Sequence, residues 1–278
     1  MKGNKHILIP HLFSKNKVYY LHNEYHLGDN VFNFILFYNL KDYIEANNIK
    51  IFYYANRCYL PQLKAFLCSP NIYLASIEYK PSTSIQLWIN NPLFMHRHDK
   101  QNMPVCFNKF YLKFFNNVLN ILHINYSLSK FCYTDLNLLA DYDTLEEKYK
   151  SIDILILNSQ PLSNQYNYNK TEWDNYIRAL NHLNKYKIVT TTKVSNEINC
   201  TLDDNLTVKK IASVSLKASI IIAVNSGVMP GLLNITTLQN VKRFYTFDRN
   251  CYYSYPNFVS KNNINDISFS ELASLLNK

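Results

Sequence analysis

Glycine is scarce: 278 residues contain four. Three of them fall in two short motifs, His26-Leu27-Gly28-Asp29-Asn30 and Asn225-Ser226-Gly227-Val228-Met229-Pro230-Gly231. A chain this sparing keeps glycine where the backbone needs positive φ or where a ligand must approach the main chain. Paired cysteine motifs are also lacking. Cys58, Cys68, Cys106, Cys132, Cys200 and Cys251 are scattered with no CxxC spacing, which argues against a zinc site and against a dense disulfide framework. No apolar run reaches the roughly 18 residues that a bilayer-spanning helix needs. The first residues hold one short apolar patch, Ile7–Pro10, without signal-peptide architecture. These absences lead us to expect a soluble cytoplasmic protein. The formal charge of +9 is spread along the chain with no block of five or six like charges. Nucleic acid is therefore not expected as a partner, and an anionic small substrate such as a nucleotide diphosphate fits the charge equally well.

What is present is ample core material, 47% hydrophobic and 15% aromatic. The chain is rich in Asn, Lys, Tyr, Ile and Phe; all have AT-rich codons, so genomic bias accounts for much of the excess. The length allows one large domain or two of roughly 100–150 residues. Apolar runs suited to strands (Lys17–Leu21, Ile49–Tyr54, Asn71–Ile77, Ile85–Ile89) alternate with helix-like segments (Val31–Ile44, Pro61–Leu67, Pro104–Leu122). Such alternation is the signature of a mostly parallel sheet covered by helices. Apolar density falls and charge rises between Asp135 and Lys150, and a second series starts at Ile152. It reads strand to Leu157, a polar loop, helix Thr171–Leu183 with Thr171 as N-cap, strand Tyr186–Thr190, helix Val208–Lys217, strand Ser219–Val224, a turn and short helix to Leu233, strand Val241–Phe247 and a terminal helix Phe269–Leu276. We expect an N-terminal unit over residues 1–140 and a C-terminal unit over residues 151–278.

Both glycine motifs join a strand-like run to a helix-like run. A helix start presents unpaired N–H groups, so such a turn suits an anion or a sugar phosphate. Asp29 at the first turn could act as general base on a sugar hydroxyl, or could simply cap the helix. Ser226 with the N–H groups after it suits a diphosphate; an ordinary strand-to-helix turn is the plainer alternative. Ser159, and Lys170 just ahead of a helix, could face a phosphate, or Lys170 could be a solvated surface charge. Asp141-Tyr142-Asp143 matches a metal-holding Asp-x-Asp pattern, but its charged, helix-like context reads as linker. His96-Arg97-His98-Asp99 is a weak metal signal, and Arg97 could meet an acidic acceptor.

In order, these segments are a strand, a Gly-Asp turn and an apolar helix, then a strand, a polar loop and Lys170-Thr171-Glu172-Trp173. Last comes helix-strand-Asn225-Ser226-Gly227-x-Met229. The series resembles the ADP-heptose:lipopolysaccharide heptosyltransferase family, glycosyltransferases of the GT-B class, over Lys17 to about Leu233. The resemblance implies an α/β protein of two Rossmann-like domains facing across a cleft. It implies an enzyme that moves a sugar from a nucleotide diphosphate donor to a hydroxyl of a glycan or glycolipid, with the nucleotide sugar as substrate, no cofactor and no metal. Asp29 would be the catalytic base, and Lys170, Ser159, Ser226, Gly227, Val228 and Met229 would hold the donor. Gly28, Asn30 and Arg97 would lie on the acceptor side, with peripheral membrane contact compatible with a glycolipid. Pro230 stands where the family carries His, which bears on the donor sugar more than on the fold. A non-catalytic module with the same shell, binding a glycan or nucleotide, is the alternative.

Overall fold

The structure is a computed structural model that describes residues 17–95, 107–163, 165–249 and 253–276. Two all-parallel sheets organise it. The first contains β1 (Val18–Asn23), β2 (Lys50–Ala55), β3 (Ile72–Ser76) and β4 (Ile85–Gln86), in the order β3-β2-β1-β4. The second contains β5 (Ile154–Leu157), β6 (Ile188–Thr190), β7 (Asn199–Cys200), β8 (Ile220–Val224), β9 (Arg243–Phe247) and β10 (Phe258–Lys261), in the order β10-β9-β8-β5-β6-β7. Counted along the chain, the second sheet has the strand order of a doubly wound Rossmann sheet, and the first has four strands of the same pattern. The two-sheet α/β architecture expected from the sequence is present.

The central strands explain their own position. Ile154–Leu157 and Ile220–Val224 are buried at every residue, as strands covered on both faces must be. Side chains alternate between faces. Ile154 and Ile156 join one core with Trp173 and Ile177 of α6 (Lys170–His182). Leu155 and Leu157 join a second core. That second core also holds Val31, Phe34 and Ile35 of α1 (Leu27–Ala46), Phe114 and Phe115 of α3 (Phe107–Ile121), and Ile211 and Val214 of α7 (Val208–Val214). One continuous apolar core therefore joins the two sheets. Short helices α2 (Leu60–Lys64), α4 (Leu138–Asp143), α5 (Glu147–Lys150), α8 (Ile235–Asn240) and α9 (Phe269–Leu276) complete the cover.

Helix α1 is the spine of the first half. Every residue from Asn30 to Tyr38 is buried, so this stretch of the helix is covered on all sides, with Asn30 and Asn33 the polar residues among its apolar ones. The Phe32 ring meets Tyr111 of α3 at 4.4 Å. On another side the Tyr133 hydroxyl donates to the Val31 carbonyl at 2.8 Å. Tyr133 also donates its N–H to Leu233 O and accepts from Ile235 N, which bolts α1 to the second half.

Two sequence expectations need correction. Helix α6 is capped by Asn169, whose Oδ1 accepts from Thr171 N at 3.1 Å and Glu172 N at 3.3 Å, so Thr171 lies inside the helix. No described glycine has positive φ; asparagine takes that work. Asn48, Asn184 and Asn205 sit at φ 50°, as does His123. After α1, Ile49 N bonds Ile44 O and Asn48 N bonds Glu45 O, the two bonds of a Schellman cap with a left-handed residue at its centre.

Asn48→Gly should therefore leave stability unchanged or raise it, whereas Asn48→Ala should lower it by about 1 kcal/mol, the cost of a left-handed residue bearing Cβ. Urea unfolding of the two variants checks this; a Gly variant less stable than the Ala variant would contradict it.

Candidate active site

Open parallel sheets bind ligands outside the carboxyl ends of their strands, at the point where strand order reverses. In the first sheet that point lies between β1 and β4, and in the second between β5 and β8. The chain leaving β1 enters the Gly28-Asp29 turn, and the chain leaving β8 enters the Ser226-Gly227 turn. The two reversal points thus carry the two glycine motifs.

They touch. A Cβ placed on Gly28 would lie 3.2 Å from Gly227 Cα and 3.8 Å from Pro230 Cγ. One placed on Gly227 would lie 3.4 Å from Gly28 N and from Leu27 Cβ. Two backbones meet here with φ in the ordinary range, and a Cβ on Gly28 would fit only if the Gly227 backbone gave by a few tenths of an ångström. Gly231 is crowded by a side chain instead: its Cβ would sit 2.5 Å from Val208 Cγ1.

Asp29 is not the helix cap. His26 is, without a side-chain capping bond, and Asp29 is the acid of the first turn. Burial raises its carboxyl above the ordinary aspartate range; the nearby His26 side chain and the backbone N–H groups of His26 and Asp29 pull the other way. The turn is held from below by a buried polar network. Asn33 Nδ2 donates to the Tyr53 hydroxyl at 2.8 Å, and that hydroxyl donates to Asn30 Oδ1 at 2.9 Å. Asn30 Nδ2 donates to His26 O at 2.9 Å. Asn30 is fully buried and its amide is consumed in this way, so it supports the Asp29 turn and does not face an acceptor.

On the opposite side Ser226 is buried, and its Oγ has no hydrogen-bond partner among the described residues. An orphaned buried hydroxyl is costly, and at a ligand-facing turn it suits a phosphate oxygen. Asn225 anchors the turn from behind through Asp248 and the Tyr253 hydroxyl. Val228 is half-buried. Met229 is buried and its N–H donates to Ser226 O at 3.1 Å, so Met229 shapes the turn from inside and offers nothing to a donor.

Ser159 leaves β5, and its Oγ meets Thr191 Oγ1 at 3.0 Å. Beside it the Asn158 side chain ties Thr191 and Thr192 to the end of β5. Lys170 opens α6 and pairs with Asp174, one turn on; its side chain is 63% exposed. Arg97, with His96, His98 and Asp99, lies outside the described residues. Asp141 of the Asp-x-Asp pattern sits on α4 and pairs with Lys209 of α7 at 3.2 Å. No group of three or more metal-ligating side chains occurs among the described residues.

Several residues escaped sequence reasoning. Tyr53 and Asn33 read as ordinary strand and helix positions. Tyr25 and Trp88, whose rings stack at 4.1 Å beside the Asp29 turn, lie on loops with no motif. Only the strand order brings them together.

No protein-family model matches the chain, and none of the curated proteins does. Solved structures do. E. coli heptosyltransferase WaaC with ADP-2-deoxy-2-fluoro heptose superposes with a TM-score of 0.57 at 8% identity, over 94% of this chain and 99% of that one. E. coli ADP-heptose LPS heptosyltransferase II gives 0.52 at 10% identity, over 94% and 97%. The glycosyl transferase family 9 protein from Veillonella parvula gives 0.51 at 13% identity, over 94% and 89%. At these identities the likeness establishes the fold: this chain has the two-sheet GT-B fold that these transferases share.

The Asp29 environment predicts a pH signature. Its folded-state pKa is raised, so ionisation costs stability as pH rises from the unfolded value through the folded one. Asp29→Asn should melt higher than the parent chain at pH 7, and the gain should vanish below about pH 4, where an unperturbed aspartate is protonated too. A variant less stable at pH 7 would overturn this account of the site.

Proposed function

We propose that the chain is a glycosyltransferase that moves a sugar from a nucleotide diphosphate donor to a hydroxyl of a glycan or glycolipid. One observation carries the reading. An acid-bearing turn at the reversal point of one parallel sheet meets a Ser-Gly turn at the reversal point of the other. In this reading residues 1–140 supply the acceptor side and residues 151–278 the donor side. WaaC in the matched structure holds an ADP-linked sugar analogue, which supports a nucleotide-sugar donor here.

Asp29 takes the proton of the acceptor hydroxyl as its oxygen attacks the anomeric carbon. A carboxyl raised by burial is a better base than an ordinary aspartate. The bond from the anomeric carbon to the diphosphate breaks, and negative charge grows on the leaving oxygens. Ser226 Oγ, Gly227 and the start of the turn, Ser159 and Lys170 meet that charge, the electrostatic contribution that usually dominates. Lys170, itself exposed, reaches the phosphate by leaving the largely buried Asp174, beside which Arg178 remains at 3.9 Å. These groups supply the counter-charge without a divalent ion. Cys58, Cys68, Cys132 and Cys200 are unpaired, which fits a reducing cytoplasm. A glycolipid acceptor would bring the basic chain against an anionic membrane surface. Pro230 in the donor turn is the observation that favours the second reading, a binding module without transfer activity.

ADP or UDP in the presence of EDTA should raise the melting temperature, since a ligand at 100 times its Kd stabilises by about 2.7 kcal/mol. Lys170→Ala should blunt the shift. Asp29→Asn should keep it while transfer falls by roughly 10²–10⁴, the usual worth of a general base. Full transfer by a folded Asp29→Asn chain would remove Asp29 as the base. Binding without turnover of any nucleotide sugar would leave the module.

A further inference from the structure

We infer that the rim of the first sheet carries a sugar-binding subsite built on Tyr25 and Trp88, whose ligand is an uncharged pyranose ring. The inference rests on the glycosyltransferase reading and names its acceptor class. Strands β1 and β4 are neighbours, with Leu21 paired to Ile85 and His22 to Gln86. Tyr25 leaves the end of β1 and Trp88 the end of β4, so the two flank the reversal point of the sheet. Their rings stack with centroids 4.1 Å apart and 29° between planes, and both remain partly exposed.

The pair is fixed before any ligand arrives. Asn23, 1% exposed, accepts the Tyr25 N–H on Oδ1 at 2.9 Å and donates Nδ2 to Leu87 O at 2.9 Å. One buried amide thus fastens both loops. Asn33 Nδ2 adds a second bond to Leu87 O at 2.9 Å. Two buried amides committed to two surface loops make a rigid platform, and a rigid platform loses little entropy on binding. The Tyr25 carbonyl accepts from Asn30 Nδ2 at 3.4 Å, so the platform and the Asp29 turn belong to one hydrogen-bonded unit.

The chemistry selects the ligand. A pyranose offers a face of C–H bonds carrying slight positive charge, which complements the negative face of an aromatic ring. Polar groups bordering the platform include Gln86 and Glu24, joined Nε2 to Oε1 at 3.0 Å and exposed to solvent on the Glu24 side. Both can accept from sugar hydroxyls. The Glu24 carboxylate repels an acidic sugar, which favours an uncharged ring. A nucleobase could also stack on indole, but the platform stands on the first sheet, across from the Ser226 turn that receives the diphosphate.

The chain has two tryptophans, and Trp173 is fully buried. Full-length protein labelled with fluorotryptophan therefore gives two fluorine NMR resonances, with that of Trp88 assigned by its loss in Trp88→Phe. The probes are methyl glycosides of glucose, galactose and N-acetylglucosamine, with sialyllactose as acidic control and ADP and UDP as nucleotide controls. At least one neutral glycoside should move the Trp88 resonance saturably and leave Trp173 still. By saturation-transfer NMR, Trp88→Ala should weaken that glycoside at least tenfold, about 1.4 kcal/mol, while the thermal shift with nucleotide is retained. No response to any neutral glycoside, response to sialyllactose alone, or displacement of Trp88 by nucleotide alone would each overturn the subsite. If no nucleotide binds while a neutral glycoside does, the subsite stands and the transferase reading falls.

Discussion

Two backbones meet at Gly28 and Gly227, and much of the molecule is arranged to let them. With 3.2 Å between a Cβ on Gly28 and the Gly227 Cα, neither turn can move far without moving the other. The contact sets where α1 begins relative to the Ser226 turn, and α1 in turn carries the core shared by both sheets. The Tyr133 bonds to Val31 and Leu233 hold the same geometry from further along the helix. A side chain in the gap would push the Asp29 and Ser226 turns apart.

Both of those groups are placed at a cost. A helix N-terminus favours an acid in its first turn, yet burial outweighs that help at Asp29. Ser226 keeps a buried hydroxyl with no partner among the described residues. Strain of this sort survives where surrounding structure over-determines it. Here the surroundings are specific: Asn30, Asn33 and Tyr53 beneath Asp29, and Asn225 with Asp248 beneath Ser226.

The fold was legible because its main strands are written as continuous apolar runs. Ile152–Leu157 and Ser219–Val224 read as strands from their apolar runs, and α1 from its broad apolar face with a helical period. What escaped lies where that signal fails. Strand β7 has two residues, and β10 is half-buried at every position, so neither has an apolar pattern to read. Helices α4 and α5 are short and charged and read as linker. In the site, Asp29, Ser226 and their glycines were visible as motifs, whereas Lys170 turned out paired with Asp174, Met229 buried and Asn30 turned inward. Those outcomes depend on which way a side chain points, and spacing does not encode that. Arg97 lies outside the described residues.

Composition misled in one respect. The abundance of asparagine reads as codon bias, yet the residue does distinct work throughout. Asn48 and Asn184 fill the left-handed positions that glycine usually takes after a helix, and Asn169 and Asn234 cap helix starts. Asn23, Asn30, Asn33, Asn158 and Asn225 form the buried bonds that fix the loops around both turns. An amide both donates and accepts and carries no charge, so it can be buried beside a carboxylate without competing for its proton or neutralising it. Lysine or aspartate at Asn30 or Asn33 would have placed a full charge beneath the Asp29 turn and perturbed its carboxyl. Whatever bias enriched the chain in asparagine left Gly28 and Gly227 at the contact where the two turns approach most closely.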